Sequence, residues 1–192
     1  IIILDKMIFS LHWIAMWWAA VGKFWDVLVD LRNSPMSVPL AAAKRFRFVR
    51  KREPEHRVLQ LAAVMGLSEE PPTPSICFSP QARATAKALI PNGGPVLAVG
   101  PTANWQAKIW RAEYFVDLIE RLSGPGGILP GARVAVFGRD DERPMVLRVI
   151  DAVPEDRRID LVGRIGLLEA GACLERAQFY VGNDSGLMHL AA

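Results

Sequence analysis

The alternation of apolar and polar positions is most regular in the second half of the chain. Four short apolar runs, at residues 96–99, 133–137, 159–162 and 178–182, are bounded by turn residues and read as strands. Continuous apolar runs of this length are what strands buried on both faces show. Between them, apolar residues recur every three or four positions, which predicts helices over residues 111–122, from about 140 to 150, and 167–176. The first of these helices is expected to bury Phe115, Leu118, Ile119 and Leu122, and Pro144 suits the first turn of the second. Four strands alternating with helices predict a parallel sheet covered on both faces.

The first half is less regular. Residues 1–4 resemble the end of a strand and residues 9–24 a helix with an apolar face. Residues 25–31 form a continuous apolar run bounded by Asp30, Arg32 and Asn33, as a buried parallel strand would. A short helix opened by Ser34 or Ser37 is expected over 34–44, and a short strand over 46–49. Residues 53–66 read as a helix whose Val58, Leu61, Ala62 and Met65 share a face, closed by Gly66. Periodicity then fails through Ser68-Glu-Glu-Pro-Pro-Thr-Pro-Ser75, and Ser79-Pro80 opens a helix to about residue 89 that ends at Pro91-Asn-Gly-Gly-Pro95. The expected organisation is a first domain over 1–66, a linker and connecting helix over 67–93, and a second domain over 94–192.

Composition narrows the class. Of 192 residues, 51% are hydrophobic, which fits a globular protein and argues against disorder, and a formal charge of +3 does not favour nucleic acid as the partner. The basic bunch at 44–52 suits a solvated loop or a contact with acidic phospholipid head groups. The apolar, Trp-rich stretch at 7–21 is shorter than the roughly 20 residues a membrane span needs. It fits a packed or amphipathic helix, with an interfacial membrane contact as the alternative. Cys77 and Cys173 form no metal-spaced pair and fit a reducing compartment. No signal peptide is visible. The start at Ile1 and the end at Ala192, in the first turn of a helix, lead us to expect a fragment of a longer protein.

The chemistry concentrates in the loops that follow the strands, which a doubly wound sheet gathers at one edge. Residues 179–192 read as a strand, a tight Asp184-Ser185-Gly186 turn and an apolar helix start carrying His189 four residues after Ser185. A helix start offers unpaired N–H groups and the positive end of the helix dipole to an anion, and Gly186 lets a phosphate approach the backbone. An ordinary capped helix with a packed histidine fits the same letters. The loop at 100–110 supplies Gly100, Thr102, Asn104 and Lys108, although it is not a P-loop. Its lysine can neutralise a diphosphate or be a surface lysine before a helix. Asp140 can accept hydrogen bonds from sugar hydroxyls or cap the next helix.

Lys108-Ile-Trp110 with its helix, and Val181-Gly-Asn-Asp-Ser-Gly-Leu-Met-His-Leu-Ala-Ala192, resemble the heptosyltransferase family of glycosyltransferases (glycosyltransferase family 9). Residues 24–32 and 56–66 look like that family's first domain. The resemblance implies an α/β, GT-B-like fold of two Rossmann-like parallel-sheet domains, both incomplete in this chain. It implies transfer of a heptose or similar sugar from an ADP-heptose-like donor to a lipid-linked saccharide of the lipopolysaccharide core, with inversion. Thr102, Asn104, Lys108, Asp184, Ser185, Gly186 and His189 would serve the donor and its phosphates, and Asp140 the nucleoside. No metal and no cofactor are called for. The base that activates the acceptor is expected in a Gly-Asp loop that this sequence lacks, and Asp26 and Asp30 sit on a strand pattern that does not suit that role. Gly100-Pro-Thr replaces the family's usual Pro-Gly-Ala order, and Ile109 stands where Arg is common. The expected location is cytoplasmic, with a peripheral contact at the inner membrane. A non-catalytic nucleotide-binding scaffold and another GT-B nucleotide-sugar enzyme, such as an epimerase, are the alternatives.

Overall fold

A computed structural model describes residue 8, residues 11–49 and residues 55–192. The chain divides into two compact units between Ile76 and Cys77.

In the first unit, α1 (His12–Ala20) precedes β1 (Trp25–Asp30), β2 (Ala42–Arg47) and α2 (Arg57–Val64). The strand expected at 1–4 lies outside the described residues. β1 and β2 pair in parallel, with Trp25 opposite Ala42 and Asp30 opposite Arg47. The helix expected over 34–44 is only a single 3-10 turn, Pro35–Ser37, and β2 starts four residues before the strand expected at 46. Asp30 explains the difference. Its buried carboxylate at the end of β1 accepts the amides of Arg32 (3.0 Å) and Ser34 (2.7 Å) and the hydroxyl of Ser37 (2.6 Å). A buried carboxylate needs such donors, and supplying them bends the chain into a turn instead of a helix. β1 is also less buried than its apolar run predicts: Val27 and Val29 stay 48% and 43% exposed, because among the described residues only β2 pairs with it. α2 is opened by His56, whose Nδ1 accepts the Val58 amide, and Gly66 ends it at a positive φ of 73°.

The second unit contains α3 (Pro80–Leu89), β3 (Val96–Gly100), α4 (Ala112–Ser123), β4 (Arg133–Val136) and α5 (Arg143–Ala152). β5 (Arg158–Asp160), α6 (Leu167–Leu174), β6 (Phe179–Gly182) and α7 (Gly186–Ala191) follow. The four strands are all parallel, in the order β5-β4-β3-β6. Alternate residues of each strand point to opposite faces, so Leu97, Val99, Val134 and Val136 pack with Phe115 and Ile119 of α4 and Val146 and Val149 of α5. Val96, Ala98, Ala135 and Phe137 pack the other way, with Cys173 and Leu174 of α6 and Ala82 and Ala86 of α3. Both faces are covered, as the continuous apolar strands require. α4 buries Phe115, Ile119 and Ser123, whereas Leu118 and Leu122 are half-buried. α3 opens where Ser79 accepts the Ala82 amide at 3.1 Å. It is a layer of the second unit, although its sequence position suggests a connector.

From β3 the chain moves one way to β4 and β5, then returns to β6 on the other side of β3. The loops after β3 and β6 therefore diverge at a topological switch point, where open parallel sheets leave a crevice for ligands.

Candidate functional site

Two loops flank that crevice: residues 101–111 between β3 and α4, and residues 183–185 between β6 and α7. The first carries a 3-10 turn, Gln106–Lys108, in which the Lys108 amide bonds the Trp105 carbonyl at 2.9 Å. That turn directs Lys108 across the switch point, where its Nζ donates to Asp184 Oδ2 at 2.5 Å. The hydrogen bond from Lys108, followed by its positive charge, holds the Asp184 carboxyl below the usual carboxylate range, against a smaller opposing effect of burial. His189 adds to the depression. Asp184 is thus a carboxylate near neutral pH, and both partners are exposed enough for an arriving ligand to exchange with them.

Beside the pair lies a cleft of about 440 Å³. Thr102, Asn104 and Ser185 line it from the two switch-point loops, and Gly186 lines it as the first residue of α7. Phe137 and Leu161 form part of its apolar wall, and Arg139 and Glu142 supply charge. A Cβ built on Gly186 would meet nothing within 4 Å, so the backbone there is open to approach. Ser185 occupies the N-cap position of α7, yet its side chain makes no capping hydrogen bond. Lys108, Asp184 and His189 are not among the lining residues, and His189 is exposed instead of packed.

Asp140 does not line the cleft either. It is exposed and stands against Gly163, whose φ is +70° and where any Cβ would collide with it. Glu142, two residues on, is the acidic side chain that faces the cleft. It is only 9% exposed, and its Oε2 accepts the Arg139 amide at 2.8 Å. The 3-10 turn Asp140–Glu142 rotates Glu142 inward and Asp140 outward. The loop Gly138-Arg-Asp-Asp-Glu142 holds three adjacent acids, so sequence offers no means of choosing among them.

Gly100 has a role that its place in a polar loop does not suggest. Tyr180 of β6 leans along the sheet edge, and a Cβ on Gly100 or Gly182 would run into its phenol ring. The missing side chains make room for Tyr180, not for a ligand. Burial pushes the Tyr180 pKa up, with Ser185 close enough to offset part of the rise. Beyond the cleft wall, Arg143 fastens the start of α5 to β5. It donates to Asp160 at 2.8 Å and to the Val162 carbonyl at 2.6 Å, which raises its own pKa through the Asp160 hydrogen bond. Asn183, which the apolar–polar pattern marks only as the end of a strand, is 6% exposed and bonded to the other switch-point loop. Among the described residues, no group of three or more His, Cys, Asp or Glu is placed to hold a metal ion.

The sequence profile of glycosyltransferase family 9 (heptosyltransferase) matches residues 34–192. The chain belongs to that family. The matched span covers both switch-point loops and the whole second unit. Over 102 residues, 51% of the chain, it is 34% identical to lipooligosaccharide heptosyltransferase 2 of Haemophilus influenzae, covering 28% of that protein. Among solved structures, a family 9 glycosyl transferase from Veillonella parvula superposes with a TM-score of 0.70 at 20% identity, over 99% of this chain. The ADP-heptose lipopolysaccharide heptosyltransferase II of Escherichia coli superposes at 0.61 and 19% identity, over 94%. A second E. coli heptosyltransferase, solved with ADP-2-deoxy-2-fluoro heptose, does so at 0.61 and 18%. These likenesses establish the shared α/β, parallel-sheet fold. The chain spans 62% of the length of each of these structures.

Proposed function

We propose that this family 9 chain is the donor-binding part of a heptosyltransferase, one that moves a heptose from an ADP-heptose-type donor to a saccharide of the lipopolysaccharide core. The observation that carries the reading is the meeting of Lys108 and Asp184 across the switch point, beside an open cleft. A diphosphate leaving group gains negative charge as the glycosidic bond breaks. The Lys108 ammonium, released from Asp184 to the ligand, and the amides at the start of α7 would stabilise that charge. We assign Lys108 to the donor diphosphate and Asp184 to the sugar hydroxyls. Thr102, Asn104, Ser185 and Gly186 would line the phosphate path, with His189 tuning Asp184. Glu142 takes the nucleoside hydroxyls in place of Asp140, and the apolar wall of Phe137 and Leu161 suits a stacked or sandwiched base.

The first unit is assigned to the acceptor side, at the inner membrane on the cytoplasmic face. No helix of the described residues is long and apolar enough to cross a membrane. Ile14 and Trp18 of α1 and its N-cap Leu11 are nevertheless exposed (52%, 69% and 45%), three and four residues apart along one side. That face suits an interfacial contact. Sedimentation with anionic liposomes checks it: a full-length protein that stays in the supernatant would remove the membrane assignment.

The donor site is tested by thermal unfolding with ADP, UDP, GDP and an ADP-sugar. A ligand at about 100 times its Kd adds roughly 2.7 kcal/mol of stability. Stabilisation by the ADP species, lost in Lys108→Ala, is expected. A preference for UDP would keep the nucleotide-sugar fold and overturn ADP-heptose. A cooperatively folded full-length protein that responds to no nucleotide would leave only a scaffold role.

A further inference from the structure

The Lys108 loop is held by a residue that touches neither the cleft nor the proposed donor. Asn183 is 6% exposed, and every polar atom of its side chain is engaged with residues 101–110. Its Oδ1 accepts the Trp110 amide at 3.0 Å, and its Nδ2 donates to the Pro101 carbonyl at 2.8 Å. Its backbone amide donates to the Gly100 carbonyl at 3.0 Å, one step beyond the β3–β6 pairing. The two side-chain bonds close the loop near its two ends, at Pro101 and Trp110, so the segment between them, with Thr102, Asn104 and Lys108, is a closed ring and not an open tether. The next residue in the chain, Asp184, receives Lys108. Packing supports the same end of the loop, since the Trp110 ring lies 5.1 Å from Phe115 and 5.3 Å from Tyr114.

We propose that Asn183 is a positioning residue that sets the reach of Lys108 toward the donor diphosphate, through a buried amide clamp on both ends of the loop. This role rests on the donor-site reading above. Only a carboxamide offers a donor and an acceptor from one short, planar group. Aspartate could still accept from Trp110, but it would set a buried charge against the Pro101 carbonyl. Leucine has nearly the same shape and does neither. Without the clamp, the buried Pro101 carbonyl and the half-buried Trp110 amide lose their partners, and the loop relieves that loss by opening to water. Lys108 then samples many positions, and its charge no longer arrives preorganised.

The experiment combines amide hydrogen exchange with ADP titration on the full chain. In the wild type, the Trp110 amide should exchange at least ten-fold more slowly than the exposed amides of the same loop. In Asn183→Leu that protection should vanish and the Kd for ADP should rise about ten-fold. The decisive result is non-additivity, read in a variant that still unfolds cooperatively and binds ADP measurably. Lys108→Ala should weaken ADP binding strongly in the wild type and by less than two-fold in the Asn183→Leu background, because Lys108 no longer reaches the site there. Asn183→Asp, which keeps the acceptor, should retain part of the Trp110 protection and serves if the leucine variant does not fold. An unprotected Trp110 amide in the wild type, or an equal Lys108→Ala effect in both backgrounds, overturns the clamp while leaving the donor site standing. A wild-type chain that binds no ADP sinks the donor reading and this role with it.

Discussion

Gly182→Ala examines the edge of the sheet from which the site projects. A Cβ built on Gly182 falls 2.5 Å from Tyr180 Cζ, nearer still to the phenol oxygen, and 2.9 Å from the Gly100 carbonyl oxygen. Carbon atoms in good contact sit about 3.5–4.0 Å apart, so the ring must retreat by roughly 1 Å. Its retreat is restricted, because a Cβ on Gly100 would also find Tyr180 Cζ at 3.1 Å and Leu187 at 3.0 Å; the ring already fills the space beside both strands. Overpacking of this kind costs about 1–3 kcal/mol. Replacing glycine by alanine returns about 0.4–1 kcal/mol through the unfolded chain, and Gly182 does not have the positive φ that would cancel that gain. The expected net loss is about 1–2 kcal/mol, a fall of roughly 0.5–1 M in the urea midpoint at the usual slopes. Removing the ring first should relieve it. In a Tyr180→Ala background, Gly182→Ala should cost at least about 1 kcal/mol less than it does alone, a coupling typical of residues in contact. Urea denaturation followed by circular dichroism measures all four proteins. An unchanged midpoint for Gly182→Ala, or an equal cost in the two backgrounds, would refute the placement of Tyr180 and with it the β3–β6 register.

Two further outcomes follow from the buried titratable groups. Burial pushes the Asp30 pKa up, but the Ser37 hydroxyl and the amides of Arg32, Ser34 and Asn33 outweigh it and leave the folded value below the ordinary one. Its contribution to stability is therefore complete above the ordinary carboxylate pKa of about 3.9 and is lost as pH falls through the depressed folded value. Asp30→Ala should cost about 2–3 kcal/mol at neutral pH by stranding those donors. The cost should shrink in acid, and urea midpoints as constant at low pH as at pH 7 would contradict the cage. Cys173 lies in the core with its pKa pushed up to about 11, chiefly by burial, whereas Cys77 is exposed. A thiol reagent at pH 8 should titrate one cysteine rapidly and the second only in denaturant; two fast equivalents would mean that α6 is not packed as described.

Much of the second unit was legible in the letters. Strands buried on both faces must be apolar throughout, and the helices between them must carry apolar residues at helical spacing, so 96–182 announces its own architecture. The first unit was less readable because its shape depends on one carboxylate. Asp30 draws the following residues into a turn where Ser34, Pro35 and Ala41–Lys44 suggested a helix, and no local propensity encodes that demand. The Lys108 and Asp184 motifs could be located in sequence because each lies in the loop that follows a strand. Their ion pair could not, since 76 residues separate them and only the order β5-β4-β3-β6 sets the two loops side by side.

The same limit governs the finer assignments. Sequence places Asp140, Asp141 and Glu142 in one loop, but the turn that rotates Glu142 into the cleft is a three-dimensional outcome. It shows Gly100 and Gly182 as small residues, while the Tyr180 ring that needs their space comes from packing across the strands. Asn183 reads as the polar end of a strand, yet its donors and acceptors find partners about 73 and 82 residues away. By itself, then, the sequence determined which segments are strands and helices and which loops carry charge, because those follow from local periodicity and residue type. The tertiary structure decided which of those charged and polar groups meet, because hydrogen bonds and ion pairs depend on distances that only the strand order and the buried contacts create.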